Sequence, residues 1–333
     1  MSIEGDLLVA RRGSVTAPAG CGKTHTIATA LRQHRGHLPV LILTHTNAGV
    51  CALRLRLQSL GVPARSYQVA TIDGFAKRLA ATFPRRSQIA SDVLDLSNPK
   101  TDYPAIRQAA IVALEGRHLD GVLSSTYSRL LVDEYQDCSQ TQHRIVNNLA
   151  FVLPTCVLGD PMQAIFGFNE SLVDWQTDVL PRYPPIGELS TPWRWNNAGT
   201  GDLGAWLLNA RDELMQGHKI DLRTLPPRIE YIQAALGQDD IRRQATIRAR
   251  AATGQGSVLV IGDAINVAGR HHLAGQAPGT TVVETVDLRD LTNFGRSFNT
   301  AAADATTGLL NFASSLMTNL NVPQTIKRLA SLR

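Results

Sequence analysis

The chain predicts an α/β fold, a parallel sheet with helices on both faces. Two observations carry that prediction. Short apolar runs at 14–17, 38–44, 67–71, 128–132, 154–158 and 187–190 alternate with stretches of helical periodicity. The first run also feeds a glycine turn that opens directly into a helix, and the fourth ends on two adjacent acids, Asp133 and Glu134. With 333 residues, 44% of them hydrophobic and 18% charged, the chain is long enough for one large core or two ordinary ones.

The elements follow in chain order. "RGSVTAPAG" is a strand running into a turn, and "KTHTIATALRQHRG" is a helix that stops near Gly36. "LPVLILT" (38–44) is a buried strand. Val50, Leu53, Leu57 and Leu60 then share one helical face before Gly61, which leaves Arg54 and Arg56 to solvent. Residues 77–126 are helix-rich, with "AIRQAAIVALEG" the clearest stretch, and read as a small helical insertion. A second α/β unit is expected from 191. It would hold an amphipathic helix at 239–254, strands at 256–263 and 280–286, and a final helix at 306–320.

Strand, glycine loop and helix are the setting of a phosphate-binding loop. Of the 33 basic side chains only five are lysine, so a generic cation in this chain is arginine. Lys23 stands between Gly22 and Thr24, where a compact ammonium fits β- and γ-phosphates and a guanidinium fork does not. Gly20 and Gly22 allow close backbone approach, and the loop from Ala19 through Cys21 to His25 would surround the phosphates. The Thr24 hydroxyl suits Mg²⁺, as does the Asp133 carboxylate at its strand end, and the adjacent Glu134 can polarise an attacking water.

The net charge of +5 permits nucleic-acid binding without establishing it. Cys21, Cys51, Cys138 and Cys156 form no CxxC pair and have no zinc spacing, so free thiols in a reducing cytoplasm are expected. The N-terminus has no apolar core of a signal peptide, and no run of about 18 apolar residues predicts a membrane span.

Six segments in order resemble motifs of the UvrD/Rep-type superfamily 1 DNA helicases, across residues 13–200. They are "APAGCGKT" (17–24), "LILTHTNAGV" (41–50), "ATIDGFA" (70–76), "DEYQD" (133–137), "LGDPMQAIFGF" (158–168) and "LSTPWRW" (189–195). The resemblance implies a RecA-like ATP-binding domain over 1–190, a partial second RecA-like domain over 191–298 and the start of a helical insertion over 299–333. It implies ATP hydrolysis with Mg²⁺ and movement on single-stranded DNA or at a duplex junction. Gln163 would sense the γ-phosphate, Trp193 would cover the adenine, and Arg194 would stabilise charge on the transferring phosphate. DNA contacts would fall to Thr44, Thr46, Asn47, Phe75, Phe166 and Phe168.

Departures from the family pattern are equally legible. Only "MSIEGDLLVARRG" precedes the glycine loop, with no adenine-reading "LNxxQ"-like element. Asp73 stands where the family has histidine, and Asn169 where it has a basic residue. The late "KGLE"-like and "YVALTRA"-like motifs have no counterpart, and Arg296 in "NFGRSF" does not substitute for them. The chain therefore reads as the N-terminal portion of a motor or as a shortened relative. The alternative is a DNA-responsive regulatory ATPase that controls a partner protein, such as a nuclease, without unwinding.

Overall fold

The computed structural model describes residues 2–164, 170–227, 229–233, 241, 244–245, 257–262, 266–277, 279–282, 288–316 and 321–330. It contains two compact bodies, Met1–Glu230 and Tyr231–Arg333.

The first body is built on a six-stranded, all-parallel sheet. Its strands are β1 (Arg12–Thr16), β2 (Val40–Thr44), β3 (Tyr67–Thr71), β4 (Arg129–Val132), β5 (Thr155–Gly159) and β6 (Pro185–Glu188), in the spatial order β3-β2-β4-β5-β1-β6. Each strand lies within about two residues of its expected position. The apolar runs are continuous because both faces of a parallel sheet are covered. Alternation sends each side chain to one of two cores. Leu41, Leu43, Leu130, Val132 and Val157 enter one core, which is completed by helices α4 (Ile72–Thr82), α6 (Pro99–Glu115) and α8 (Gln140–Val152). Val40, Ile42, Leu131, Cys156 and Leu158 enter the other, against α1 (Ile3–Val9), α2 (Lys23–Gln33) and α3 (Asn47–Ser59).

Local chemistry sets the helix starts. Thr46 and Thr71 each accept a hydrogen bond from the amide three residues on and cap α3 and α4. Ser139 and Gln142 form a reciprocal capping box at α8. The short α5 (Pro84–Ser87), α6 and α7 (Asp120–Thr126) fall in the stretch read from the sequence as helix-rich. Helix α1 is tied down by Arg129, buried in β4, which donates to the carbonyls of Leu7 and Ala10. Burial lowers the Arg129 pKa, so these carbonyls also serve to solvate its charge.

Residues 191–230, read from the sequence as the opening of a second unit, are part of the first body. Here α9 (Trp193–Asn197) and α10 (Gly201–Met215) pack as a pair, with Gly204 against Pro192 and Trp195.

The second body contains α11 (Val267–Gln276), α12 (Leu288–Ser297), α13 (Ala305–Leu316) and α14 (Val322–Ala330). Phe294 stacks on Phe298 and Phe312 at 4.9 and 4.0 Å between ring centroids. The strand expected at 256–263 is not formed in its described part. Residues 257–262 pair with no strand, and Leu259 and Ile261 are exposed. An apolar run becomes a strand only where a neighbouring strand takes its backbone hydrogen bonds. Most of the helix expected at 239–254, and residues 283–286 of the strand expected at 280–286, lie outside the described residues. Among the described residues no helix is long and apolar enough to cross a membrane.

All four cysteines are free thiols, and only Cys51 is exposed. Burial raises the pKa of Cys21, Cys138 and Cys156, the last to about 11. A disulfide reagent at neutral pH should therefore modify one thiol per folded chain and all four after unfolding. Rapid reaction of a second thiol in the folded protein would show that the glycine turn around Cys21 opens.

Candidate nucleotide site

The C-terminal ends of β1, β4 and β5 converge on a cavity of about 890 Å³ in the first body. Strand β1 delivers the chain to Ala17, whose amide donates to the Gly159 carbonyl at 2.9 Å. Ala17 has no positive φ, so alanine serves there as well as the more usual glycine. Gly20 (φ 74°) and Gly22 (φ 92°) do adopt the left-handed conformation and make the turn. No side chain caps α2, so the first amides of that helix are left for an anion.

Lys23, the first residue of α2, reaches across the sheet to the end of β4. Its Nζ lies 3.4 Å from Asp133 Oδ1 and in closer contact with Glu134 Oε2. Burial opposes the lysine's charge, but the carboxylates of Asp133 and Glu134 outweigh it and its pKa is raised. Burial also pushes Asp133 up, against the pull of Lys23 and with the repulsion of Glu134. One ammonium thus faces two carboxylates, and the surplus negative charge suits a divalent cation. Among the described residues no group of three or more His, Cys, Asp or Glu could hold a metal by itself. Mg²⁺ takes one or two protein oxygens and draws the rest from phosphate and water. Thr24 lines the cavity beside Lys23, and Asp133 stands behind Lys23 at the end of β4.

Glu134 has a φ of 55°, a left-handed conformation costing a non-glycine residue roughly 1 kcal/mol or more. The following turn is held by Gln136. Its Nε2 donates to Glu134 Oε2 at 2.9 Å, and its Oε1 accepts from the Asp160 amide at 3.0 Å. Gln136 links the ends of β4 and β5, and nothing in the spacing of "DEYQD" predicts that role. A side chain at Gly159 would strike its Oε1, which accounts for glycine there.

The other predicted residues fall as follows. Gln163 lines the cavity, and its Nε2 donates to Asp160 Oδ2 at 2.6 Å. Trp193 sits over Gly22 and Trp195 over Gly20, so close that a Cβ at Gly20 would lie 2.4 Å from the Trp195 ring. The Arg194 amide donates to the Gly20 carbonyl at 3.1 Å, and its guanidinium lies over the Trp195 ring. Ala19, Cys21, Thr24 and His25 line the cavity. His25 Nδ1 accepts from Arg56 Nη2 at 2.9 Å, so Arg56 is tied to the site rather than left to solvent. Arg54 likewise donates to the Val69 carbonyl of β3. Glu4 of α1, in the segment that precedes the glycine loop, also lines the cavity.

The expected DNA contacts are only partly brought together. Thr46 and Asn47 are exposed at the end of β2. Thr44 is fully buried, and its Oγ1 has no hydrogen-bond partner among the described residues. Phe75 is a correction: it is 3% exposed and packs in the core, because Ile72, Phe75, Ala76, Leu79 and Ala80 form the apolar face of α4. It is therefore not available for base stacking. Phe166 and Phe168 lie outside the described residues. Asp73 is not a bare acid facing phosphate. Arg107 grips it with two hydrogen bonds of 2.7 and 2.8 Å, and Gln142 donates a third.

Parallel sheet, left-handed glycine turn, lysine and paired acids define a nucleotide-binding domain of the P-loop class. Residues 96–180 match the family described as the UvrD/REP helicase N-terminal domain, a stretch that includes Asp133, Glu134 and Gln163. Over that stretch, about a quarter of its length, the chain is similar to the N-terminal domain of that helicase family. Among solved structures, the Pif1 helicase from Candida albicans is similar at 13% identity with a TM-score of 0.37; 78% of this chain and 56% of that one are covered. No curated protein matches the sequence.

Proposed function

We propose that this chain is the nucleotide-hydrolysing part of a DNA helicase or translocase that uses Mg²⁺ and ATP to move on single-stranded DNA. The observation that carries the reading is Lys23 meeting Asp133 and Glu134 across the glycine turn. The amides of the turn and of α2 would bind the triphosphate, with Lys23 leaving the two acids for the β- and γ-phosphates. Mg²⁺, when bound, supplies neutralisation of the phosphate charge, and Thr24 and Asp133 would hold it. Glu134 would take the proton of the attacking water, with Gln136 fixing its carboxylate. Gln163 would sense the γ-phosphate. Arg194, anchored to the loop by its own amide, would reach the transferring phosphate, and Trp193 would cover the base. On this reading α9 and α10 open the second motor unit while docked on the first. Thr46 and Asn47 would touch the DNA backbone at the end of β2. Free thiols fit work in the cytoplasm.

The test is the rate of ATP hydrolysis with and without single-stranded DNA. A severalfold rise on adding DNA is expected. Hydrolysis indifferent to DNA would replace the motor with the regulatory ATPase acting on a partner protein.

A further inference from the structure

Asp160 is a junction. Its side chain is 3% exposed, and its two oxygens serve three donors. Oδ2 accepts from Gln163 Nε2 at 2.6 Å. Oδ1 accepts from the Met162 amide at 3.1 Å and from Arg211 Nη1 at 2.6 Å. Two of the donors belong to the short turn that Asp160 itself caps, Pro161–Gln163. The third comes from α10, about fifty residues further along the chain.

The placement of Arg211 is unusual for an arginine with a purely packing role. Its side chain is 10% exposed, yet Nη2 is buried and has no hydrogen-bond partner among the described residues. Buried guanidinium groups normally satisfy more of their donors than this. The charges of Arg211 and Asp160 both act on Cys21, which sets the ion pair beside the glycine turn. Helix α10 is packed on α9: Gly204 lies against Pro192 and Trp195, and the Thr200 hydroxyl donates to the Trp195 carbonyl at 3.2 Å. The helix pair thus grips the nucleotide loop through α9, at Gly20 and Gly22, and the turn carrying Gln163 through α10, at Asp160.

We infer that Arg211 is a positioning residue: through Asp160 it fixes the turn that carries Gln163, so that Gln163 is aligned with the nucleotide only while the α9–α10 pair is docked on the loop. The inference rests on the reading of Gln163 as the residue that senses the γ-phosphate. It adds a physical link between the docking of those helices and the state of the sensor. With Arg211 withdrawn, the Asp160 carboxylate keeps only the donors of its own turn, and the turn loses its tie to α10 while the bond from the Asp160 amide to Gln136 remains. The link also extends to the proposed base, because the Asp160 amide donates to Gln136 and Gln136 donates to Glu134.

The experiment compares wild type with Arg211→Gln and Arg211→Lys. Amide hydrogen exchange is measured first, on the protein without nucleotide. In Arg211→Gln the amides of Met162 and Gln163 should exchange at least about tenfold faster, while those of Val157 and Leu158 in β5 keep their protection. Arg211→Lys, which retains the charge, should recover part of the loss. Unchanged exchange at Met162 and Gln163 would overturn the inference, and faster exchange throughout β5 would reduce Arg211 to a general stabilising role. Steady-state ATP hydrolysis is measured second. Arg211→Gln should lower kcat more than it raises KM, and adding it to Gln163→Ala should cost nothing further. Additive losses would overturn the link to Gln163. If wild type itself hydrolyses no ATP, the functional reading fails, and the exchange data still decide whether Arg211 holds the turn.

Discussion

A Lys23→Ala variant is expected to lose nucleotide binding and with it all hydrolysis. The ammonium is the only positive charge in contact with Asp133 and Glu134 among the described residues. Its removal leaves two carboxylates at the place where a triphosphate must enter, so an attraction becomes a repulsion. Loss of a charge-assisted contact and exposure of an unpaired buried acid together cost about 3–5 kcal/mol, a weakening of at least about 100-fold. Titration with a fluorescent ATP analogue measures it, and near-wild-type affinity would remove the lysine from the site. The variant also has a pH signature. Burial already holds the Asp133 carboxyl above its ordinary value, and the pull of Lys23 is what restrains it. Without that pull the folded-state pKa rises further. A carboxyl whose pKa is higher folded than unfolded binds more protons in the native state, so its contribution to stability falls as pH rises. Stability of Lys23→Ala should therefore decline more steeply than that of wild type from the ordinary carboxylate range upward, as followed by thermal melts across pH.

Glu134→Gln should separate binding from chemistry. Glutamine keeps the shape and can still accept the hydrogen bond from Gln136, while Lys23 retains Asp133. The left-handed backbone at 134 is no harder for glutamine than for glutamate. Nucleotide affinity should therefore be retained or improved, since one negative charge near the phosphates is gone. What is lost is the proton acceptor, and general-base contributions of about 10²–10⁴-fold set the expected drop in the rate. Single-turnover release of γ-phosphate measures it directly. A rate within a few-fold of wild type would take the base assignment away from Glu134 and leave it as an electrostatic partner of Lys23.

Much of this site is written in local patterns. The strands are legible because a buried parallel strand needs an unbroken apolar run, and "VLIL" and "RLLV" have little choice once paired. The glycine turn is legible because Gly20 and Gly22 occupy conformations that exclude most side chains. The burial of Phe75 is equally legible in the sequence. Ile72, Phe75, Ala76 and Leu79 stand at i, i+3, i+4 and i+7 and describe a buried helical face, whatever the likeness of the segment to a DNA-contact motif. The strand expected at 256–263 shows the converse limit, since a strand-like run does not name its partner.

The sequence by itself determined the strands and the glycine loop, because spacing of 2 and 3.6 residues and the backbone freedom of glycine act over a few positions. Tertiary structure alone decided which polar groups meet. It neutralised Asp73 with Arg107, 34 residues away, joined Glu134 to Asp160 through Gln136, and brought Arg211 from α10 to the turn of Gln163. A buried charge must find a partner, but any strand or helix that the fold carries within about 3 Å can supply it, and distance along the chain leaves no trace of that choice.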